Sequence, residues 1–289
     1  MNELIEKLET ERQRFLKLFK TTKIVNNVVL TLIVLGMGAT FLWLMERNLN
    51  LALIIVAILI VVLFAYSRIV KSWLGRKAYE YIFAFYRNAS SHFYGDTPFT
   101  DVEILEQDGF DFDEFVSLRV LSNETSIITR NKVIGKLDRR PFAVADAGVR
   151  VQKEKLIEVA FFGKIFSFEL DTPIEGHHIF HRFRDKEGAK TFAEDFHLIE
   201  QEDGFTYVST LEKGTSSIKK ATLKALDAFK LDDNLLDVTL VVKDAKAYLL
   251  LSYDEGIMNV VYEQPTKEES LNRFASDLKL ISDLADTLP

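Results

Sequence analysis

Two uninterrupted apolar runs near the N-terminus constrain this chain more than any other feature. The first, Ile24–Met45 (IVNNVVLTLIVLGMGATFLWLM), is 22 residues long and bounded by Lys23 and Glu46. The second, Leu51–Val70 (LALIIVAILIVVLFAYSRIV), is broken only by Arg68 near its end. A helix needs about 20 apolar residues to cross a hydrocarbon core about 30 Å thick, and both runs reach that length. Only Glu46, Arg47, Asn48, Leu49 and Asn50 separate them, enough for a tight connection. The expected element is a transmembrane helical hairpin over 24–70, with spans 24–45 and 51–70. A cleaved signal peptide has an apolar core of about 7–15 residues and a small-residue cleavage site behind it, whereas here a second span follows at once.

Basic residues set the expected orientation. Lys7, Arg12, Arg14, Lys17, Lys20 and Lys23 precede the first span, Arg68, Lys71, Arg76 and Lys77 close the second, and the turn holds only Arg47. The positive-inside rule then puts both termini in the cytoplasm, with Trp43 in an interfacial belt at the outer end. No charge falls in the middle of either span, which argues against an ion path or proton relay. Asn26 and Asn27 sit at headgroup depth or hydrogen-bond across a helix interface. Gly36, Gly38 and Thr40 allow close packing, either on the second span or against a second copy in a homo-oligomer.

The rest divides into a cytoplasmic amphipathic helix over 1–23, a juxtamembrane aromatic-rich helix over 71–100 and a domain over 101–289. In the first, Leu4, Leu8, Phe15 and Leu18, with Glu11 in register, follow the 4-3 spacing of a short coiled-coil contact or of packing on the downstream domain. In the second, Trp73, Tyr79, Phe83 and Tyr86 are candidates for a partner surface, though membrane interfaces and cores use aromatics too. Beyond it, short β-rich runs predominate: Phe115–Leu121, Ser126–Thr129, Lys132–Leu137, Pro141–Val151, Leu156–Phe162, Lys164–Leu170, Phe205–Leu211, Leu236–Lys243 and Ala247–Tyr253. Phe162-Gly163-Lys164 and Lys243-Asp244-Ala245-Lys246 read as turns between them. A helix over Ser217–Phe229 follows a Thr215 or Ser216 cap. Another spans about Lys267–Leu284 behind the capping box Thr266-Lys-Glu-Glu269, with Leu271, Phe274, Leu278, Ile281 and Ala285 on one face. The expected fold class is α+β: an N-terminal transmembrane helical hairpin, then a mainly antiparallel-sheet cytoplasmic domain with a C-terminal helix.

Composition narrows the chemistry. The 289 residues include no cysteine, which removes disulfides, thiolate nucleophiles and cysteine-based metal sites. The net charge is −7, and residues 69–289 carry 28 basic against 38 acidic side chains, so a nucleic-acid partner is not expected. His177, His178 and His181 are candidate metal ligands, since imidazoles hold zinc or nickel. A helix would put His177 and His181 on one face, whereas an extended segment would point His178 and His181 to opposite faces. Asp108–Glu114 alternates acids with phenylalanines, and its glycine comes too early for a calcium loop. Ser216-Ser-Ile-Lys219 fits S-x-x-K, but its companion motifs are missing, and no P-loop, GxGxxG or GxSxG occurs. No cofactor is expected.

The stretch Val133-Ile-Gly-Lys-Leu-Asp-Arg-Arg-Pro-Phe142 with Ala143–Ala145 is followed by Phe161-Phe-Gly-Lys-Ile-Phe-Ser-Phe168 and Phe192-Ala-Glu-Asp-Phe196. Tyr207, Val208 and Ser209, a capped helix from Thr215 and a closing hairpin through Leu236–Leu251 complete the series. Behind two N-terminal spans, this order resembles the DUF3137 family of bacterial membrane proteins, whose domain has no known function. The helix start departs from it, reading Lys213-Gly-Thr-Ser-Ser217 where the family favours Leu-Thr-Pro. The resemblance implies residence in a bacterial cytoplasmic membrane and brings no catalytic residues. The leading expectation is a non-enzymatic module that recruits or regulates a protein partner at the membrane. The alternatives are a ligand- or lipid-responsive sensor, an enzyme of undescribed type, and an oligomeric pore or effector.

Overall fold

The computed structural model describes residues 2–95, 98–105, 108–120, 125–153, 156–184, 195–202, 204–214, 216–231, 233–253, 262–266 and 268–288. The chain divides into two units, Met1–Asn88 with Val260–Thr266, and Ala89–Asn259 with Lys267–Pro289.

The first unit is built on two helices, α1 (Asn2–Met45) and α2 (Leu49–Tyr94), the last turn of α2 belonging to the second unit. At about 1.5 Å per residue each runs roughly twice the length a membrane span needs. The connection is short because the sequence closes it twice. The N–H groups of Arg47 and Asn48 both donate to the Leu44 carbonyl, at 3.0 and 2.8 Å. Asn48 then caps α2, its side-chain oxygen accepting the Leu51 N–H at 3.1 Å. The Arg47 guanidinium lies 4.7 Å from the Trp43 ring centre.

At the other end, Phe15 stacks on Tyr81 at 4.8 Å, and Tyr262 packs its ring against Phe15 and Phe19 at 5.2 and 5.4 Å. Lys7 donates to Asn88, whose amide donates in turn to Glu11, so α1 and α2 run antiparallel. The buried stripe of α1 is Leu4, Leu8, Arg12 and Phe15. It differs from the 4-3 expectation at two places. Leu18 is 44% exposed, and Arg12 is buried where Glu11 was expected in register. Arg12 tolerates burial because its guanidinium holds both oxygens of Glu9, at 2.7 and 2.5 Å, and the Tyr262 carbonyl at 3.0 Å. The same bond holds the Glu9 carboxyl down to about 2, and burial pushes the Tyr81 phenol up to about 12.

The second unit is a seven-stranded sheet with every described pairing antiparallel. Its strands are β1 (Phe99–Leu105), β2 (Thr125–Leu137), β3 (Arg140–Lys153), β4 (Leu156–Phe183), β5 (His197–Glu202), β6 (Phe205–Ser209) and β7 (Leu235–Tyr253). The order is β1-β2-β3-β4-β6-β5, with β7 also paired to β4. β4 is the spine: it pairs β3 through Leu156–Phe168, β6 through His178–Arg182, and β7 from Gly163 to Phe183. The short helix α3 (Phe112–Val116) precedes β2, α4 (Ser216–Asp227) precedes β7, and α5 (Glu268–Thr287) closes the chain.

Both faces of the sheet carry packed apolar side chains, although Ile128 and Phe162 stay exposed. One carries a core of Phe110, Phe115, Leu118 and Val120 against Val149, Phe161, Ile165, Ile179, Val208, Val241 and Leu250. On the other, Tyr94 packs against Phe99, Phe142 and Phe274, and the buried face of α5 is the expected Leu271, Phe274, Leu278, Ile281 and Ala285. Two arginines tie helix ends to strands. Arg140 donates to the carbonyls of Ala285 and Leu288 at the end of α5, and Arg182 to those of Leu226 and Phe229 at the end of α4. These carbonyls lie at helix C-termini, where a cation is favoured.

Several sequence expectations are corrected. Phe115–Leu121 does not begin as a strand: Asp111 enters extended, Asp113 and Glu114 occupy the favourable first turn, and one helical turn drops Phe115 into the core. Glu114 is held there by Tyr248 Oη at 2.8 Å and Lys246 at 3.2 Å. Neither supposed turn at Gly163 nor at Asp244 ends a strand. A Cβ at Gly163 would fall 1.8 Å from the Leu251 carbonyl oxygen, so the glycine admits β7 at close approach. Asp244, with φ of 56°, absorbs an irregularity inside β7, between the pairings Glu169–Lys246 and His177–Lys243. The expected closing hairpin is thus one 19-residue strand. The Thr215 cap, Phe192–Glu194 and the Lys267 start lie outside the described residues.

Candidate functional site

The three histidines lie on β4, and its alternation sorts them. Their pairing partners are Lys243 for His177, Val242 and Ser209 for His178, and Thr239 and Thr206 for His181. His177 and His181 share the face of Ile179, while His178 lies on the face of Phe180. Tyr207 Oη donates to His178 Nδ1 at 3.0 Å, and His178 Nε2 donates to the Glu175 carbonyl at 2.9 Å, which fixes the tautomer. His181 Nδ1 is bonded to Thr239 Oγ1 at 2.9 Å, and its ring stacks on Phe183. Among the described residues no three His, Asp or Glu side chains group to hold a metal ion.

His177 is the distinctive member. It is buried, its ring stands edge-on to Phe196 at 5.0 Å, and its Nε2 has no hydrogen-bond partner. Burial, with the charges of Lys243 and Arg119 beside it, pushes its pKa down to about 4. The folded state therefore keeps this imidazole neutral, whereas the unfolded chain protonates it near pH 6.5. Stability is expected to fall as pH drops from about 6.5 to about 4, by up to about 3 kcal/mol from this residue. Comparing the pH dependence of unfolding of the parent protein and of His177→Phe checks this. The substitution should flatten that window, and an unchanged slope would assign it to other groups.

The structure does not bring the four aromatic candidates of α2 to one surface. Phe83 is buried with Arg87 over its ring at 5.0 Å, and Tyr86 is half-buried against Phe85. Tyr79 is 39% exposed. Trp73 is half-buried and lines a groove of about 450 Å³ with Arg68, Ile69, Ser72 and Arg76. Sequence reasoning counted Arg68 and Arg76 only as orienting charges. The signal that would have found the groove is the four-residue spacing of Arg68, Ser72 and Arg76. Gly36 and Gly38 face open space: a Cβ at either would meet nothing within 4 Å, so neither packs against the chain's own second helix.

No protein-family model matches the chain, and no curated protein matches it. Among solved structures, the crystal structure of the mycobacterial trehalose monomycolate transport factor A, TtfA, is similar at 10% sequence identity and a TM-score of 0.39, over 71% of this chain and 96% of that one. A likeness of that extent carries nothing over to this chain.

Proposed function

We propose that this protein is a membrane-anchored, non-enzymatic interaction module that recruits or regulates a protein partner at the bacterial cytoplasmic membrane. In this reading residues 24–45 and 51–70 cross the bilayer, both termini are cytoplasmic, and the sheet unit is the part offered to the partner. One observation carries the anchor: α1 and α2 leave a continuous apolar surface uncovered, including Leu35 at 64% and Phe64 at 71% exposure. A water-soluble surface rarely exposes apolar patches above a few hundred Å², and lipid removes the cost. The lysine and arginine asymmetry supplies the orientation, and the DUF3137 resemblance supplies the bacterial setting. The recruiting role rests on the described polar groups, whose bonds are those of a folded sheet rather than of a reacting centre.

The lack of cysteine makes the test direct. Glu46→Cys in the turn and Asn2→Cys at the start of α1 are each exposed to a membrane-impermeant maleimide on spheroplasts. Glu46→Cys should label at once and Asn2→Cys only after lysis, with the protein remaining in alkali-washed membranes. The reverse labelling, or release by alkali, refutes the anchor. Affinity purification of the full chain in mild detergent then tests recruitment: a protein should co-purify at fixed stoichiometry. A chain that emerges alone with bound metal or small molecule points instead to a sensor or enzyme.

A further inference from the structure

We infer that the groove on α2 between Arg68 and Arg76 binds a phosphate-bearing anionic group at the point where the apolar run ends. The inference rests on the proposed insertion of residues 51–70. Arg68, Ser72 and Arg76 recur every four residues along one side of the helix, over about 12 Å of rise. They form a row of guanidinium, hydroxyl and guanidinium. Ile69 and Trp73 form the row beside it, apolar with an indole N–H at its edge. Such a wall suits a ligand charged at one end and apolar at the other.

One of the two cations is unengaged among the described residues, and the other is held by a long ion pair alone. Among the described residues Arg68 has no hydrogen bond or ion pair. Arg76 lies 3.8 Å from Glu80, beyond hydrogen-bond range, and Glu80 is taken by Lys77 at 2.5 Å. An arginine fork matches a phosphate bidentately, which makes the pair a phosphate site rather than a generic positive charge. Arg68 lies two residues from the end of the apolar run, where a basic side chain reaches the headgroup layer. Continuity with that run places the groove at headgroup depth, with Trp73 as interfacial anchor. A lipid headgroup and a soluble phosphate ester share this chemistry.

The test uses the full chain in mild detergent, titrated with phosphatidylglycerol, phosphatidylcholine or inorganic phosphate and read by native mass spectrometry. Phosphatidylglycerol should be retained over phosphatidylcholine. Arg68→Gln with Arg76→Gln should weaken that binding by on the order of thirtyfold. Arg14→Gln with Lys17→Gln removes the same charge from exposed positions of α1 and should change it by less than about threefold. Binding of inorganic phosphate without phosphatidylglycerol, with the same arginine dependence, supports the site and makes its ligand soluble. Equal retention of both lipids without phosphate binding, or equal losses in the two double variants, overturns it. Alkaline extraction of the Arg68→Gln/Arg76→Gln protein reads insertion separately. A chain that stays in washed membranes but shows no anionic preference sinks the site and leaves the anchor standing.

Discussion

Alanine at position 163 is expected to cost the fold about 3 kcal/mol or more, although the change adds one methyl group. Gly163 pairs with Ala147 of β3 and with Ser252 of β7, so β4 is hemmed in on both edges there. The added Cβ would lie 1.8 Å from the Leu251 carbonyl oxygen and 2.9 Å from its carbon. Both are backbone atoms and have no rotamer to swing into. Either β7 moves away and ladder bonds are lost, or the strand bends at the centre of the sheet. Gly148→Ala, in the neighbouring strand β3, is the control: its nearest contact would be Phe162 Cδ2 at 3.9 Å, an ordinary distance. That variant should stay within about 0.5 kcal/mol of the parent. Urea unfolding of both proteins followed by near-ultraviolet circular dichroism decides the matter. Equal midpoints would mean that β4 and β7 do not approach as closely as described.

The second large effect is expected from Asp146→Ala, at about 3 kcal/mol. Lys164 is buried in β4, its ammonium 2.5 Å from Asp146 and 5.4 Å from the centre of the Phe274 ring. Asn131 donates to the other Asp146 oxygen at 2.9 Å. Removing the carboxylate takes the 2.5 Å ion pair from a buried ammonium, the costly way to break such a pair. Lys164→Met should cost less, because Asp146 keeps the Asn131 bond and some contact with water. Asp146→Ala with Lys164→Met should recover most of the loss, since the apolar pair no longer carries a desolvated charge. A double variant as unstable as the sum of the two singles would show that the residues do not act as a pair.

What the sequence displayed depended on how far away each cause lay. The apolar runs and the face of α5 are local periodicities, and Leu271, Phe274, Leu278, Ile281 and Ala285 are all buried as expected. On α1 the same reasoning failed at position 12. Arg12 is buried with Glu9 one turn before it and with the Tyr262 carbonyl, 250 residues away, accepting a hydrogen bond, and no local pattern encodes the second partner. Gly163 and Asp244 carried turn chemistry, yet both sit inside strands. The close approach of Leu251 explains the first and a pairing irregularity the second, and both are properties of a partner strand. The histidine alternation was legible once the segment was taken as extended. The unpartnered nitrogen of His177 was not, because Phe196 reaches it from another part of the chain. The groove on α2 was within reach of the sequence, but its arginines had been assigned to membrane orientation alone.

The place of β4 in the sheet has a consequence for how the chain is made. β7 ends about 70 residues after β4 does, and along Gly163–Phe183 β7 supplies its hydrogen bonds. At 5–20 residues per second, a ribosome needs roughly 4–14 s to deliver it. Throughout that interval a long strand bearing Phe161, Phe166, Phe168 and Phe180 presents an unpaired backbone, the template on which other chains aggregate. The hazard therefore belongs to the nascent chain rather than to the finished molecule, and synthesis stalled before Leu235 is the point at which this protein most needs a chaperone.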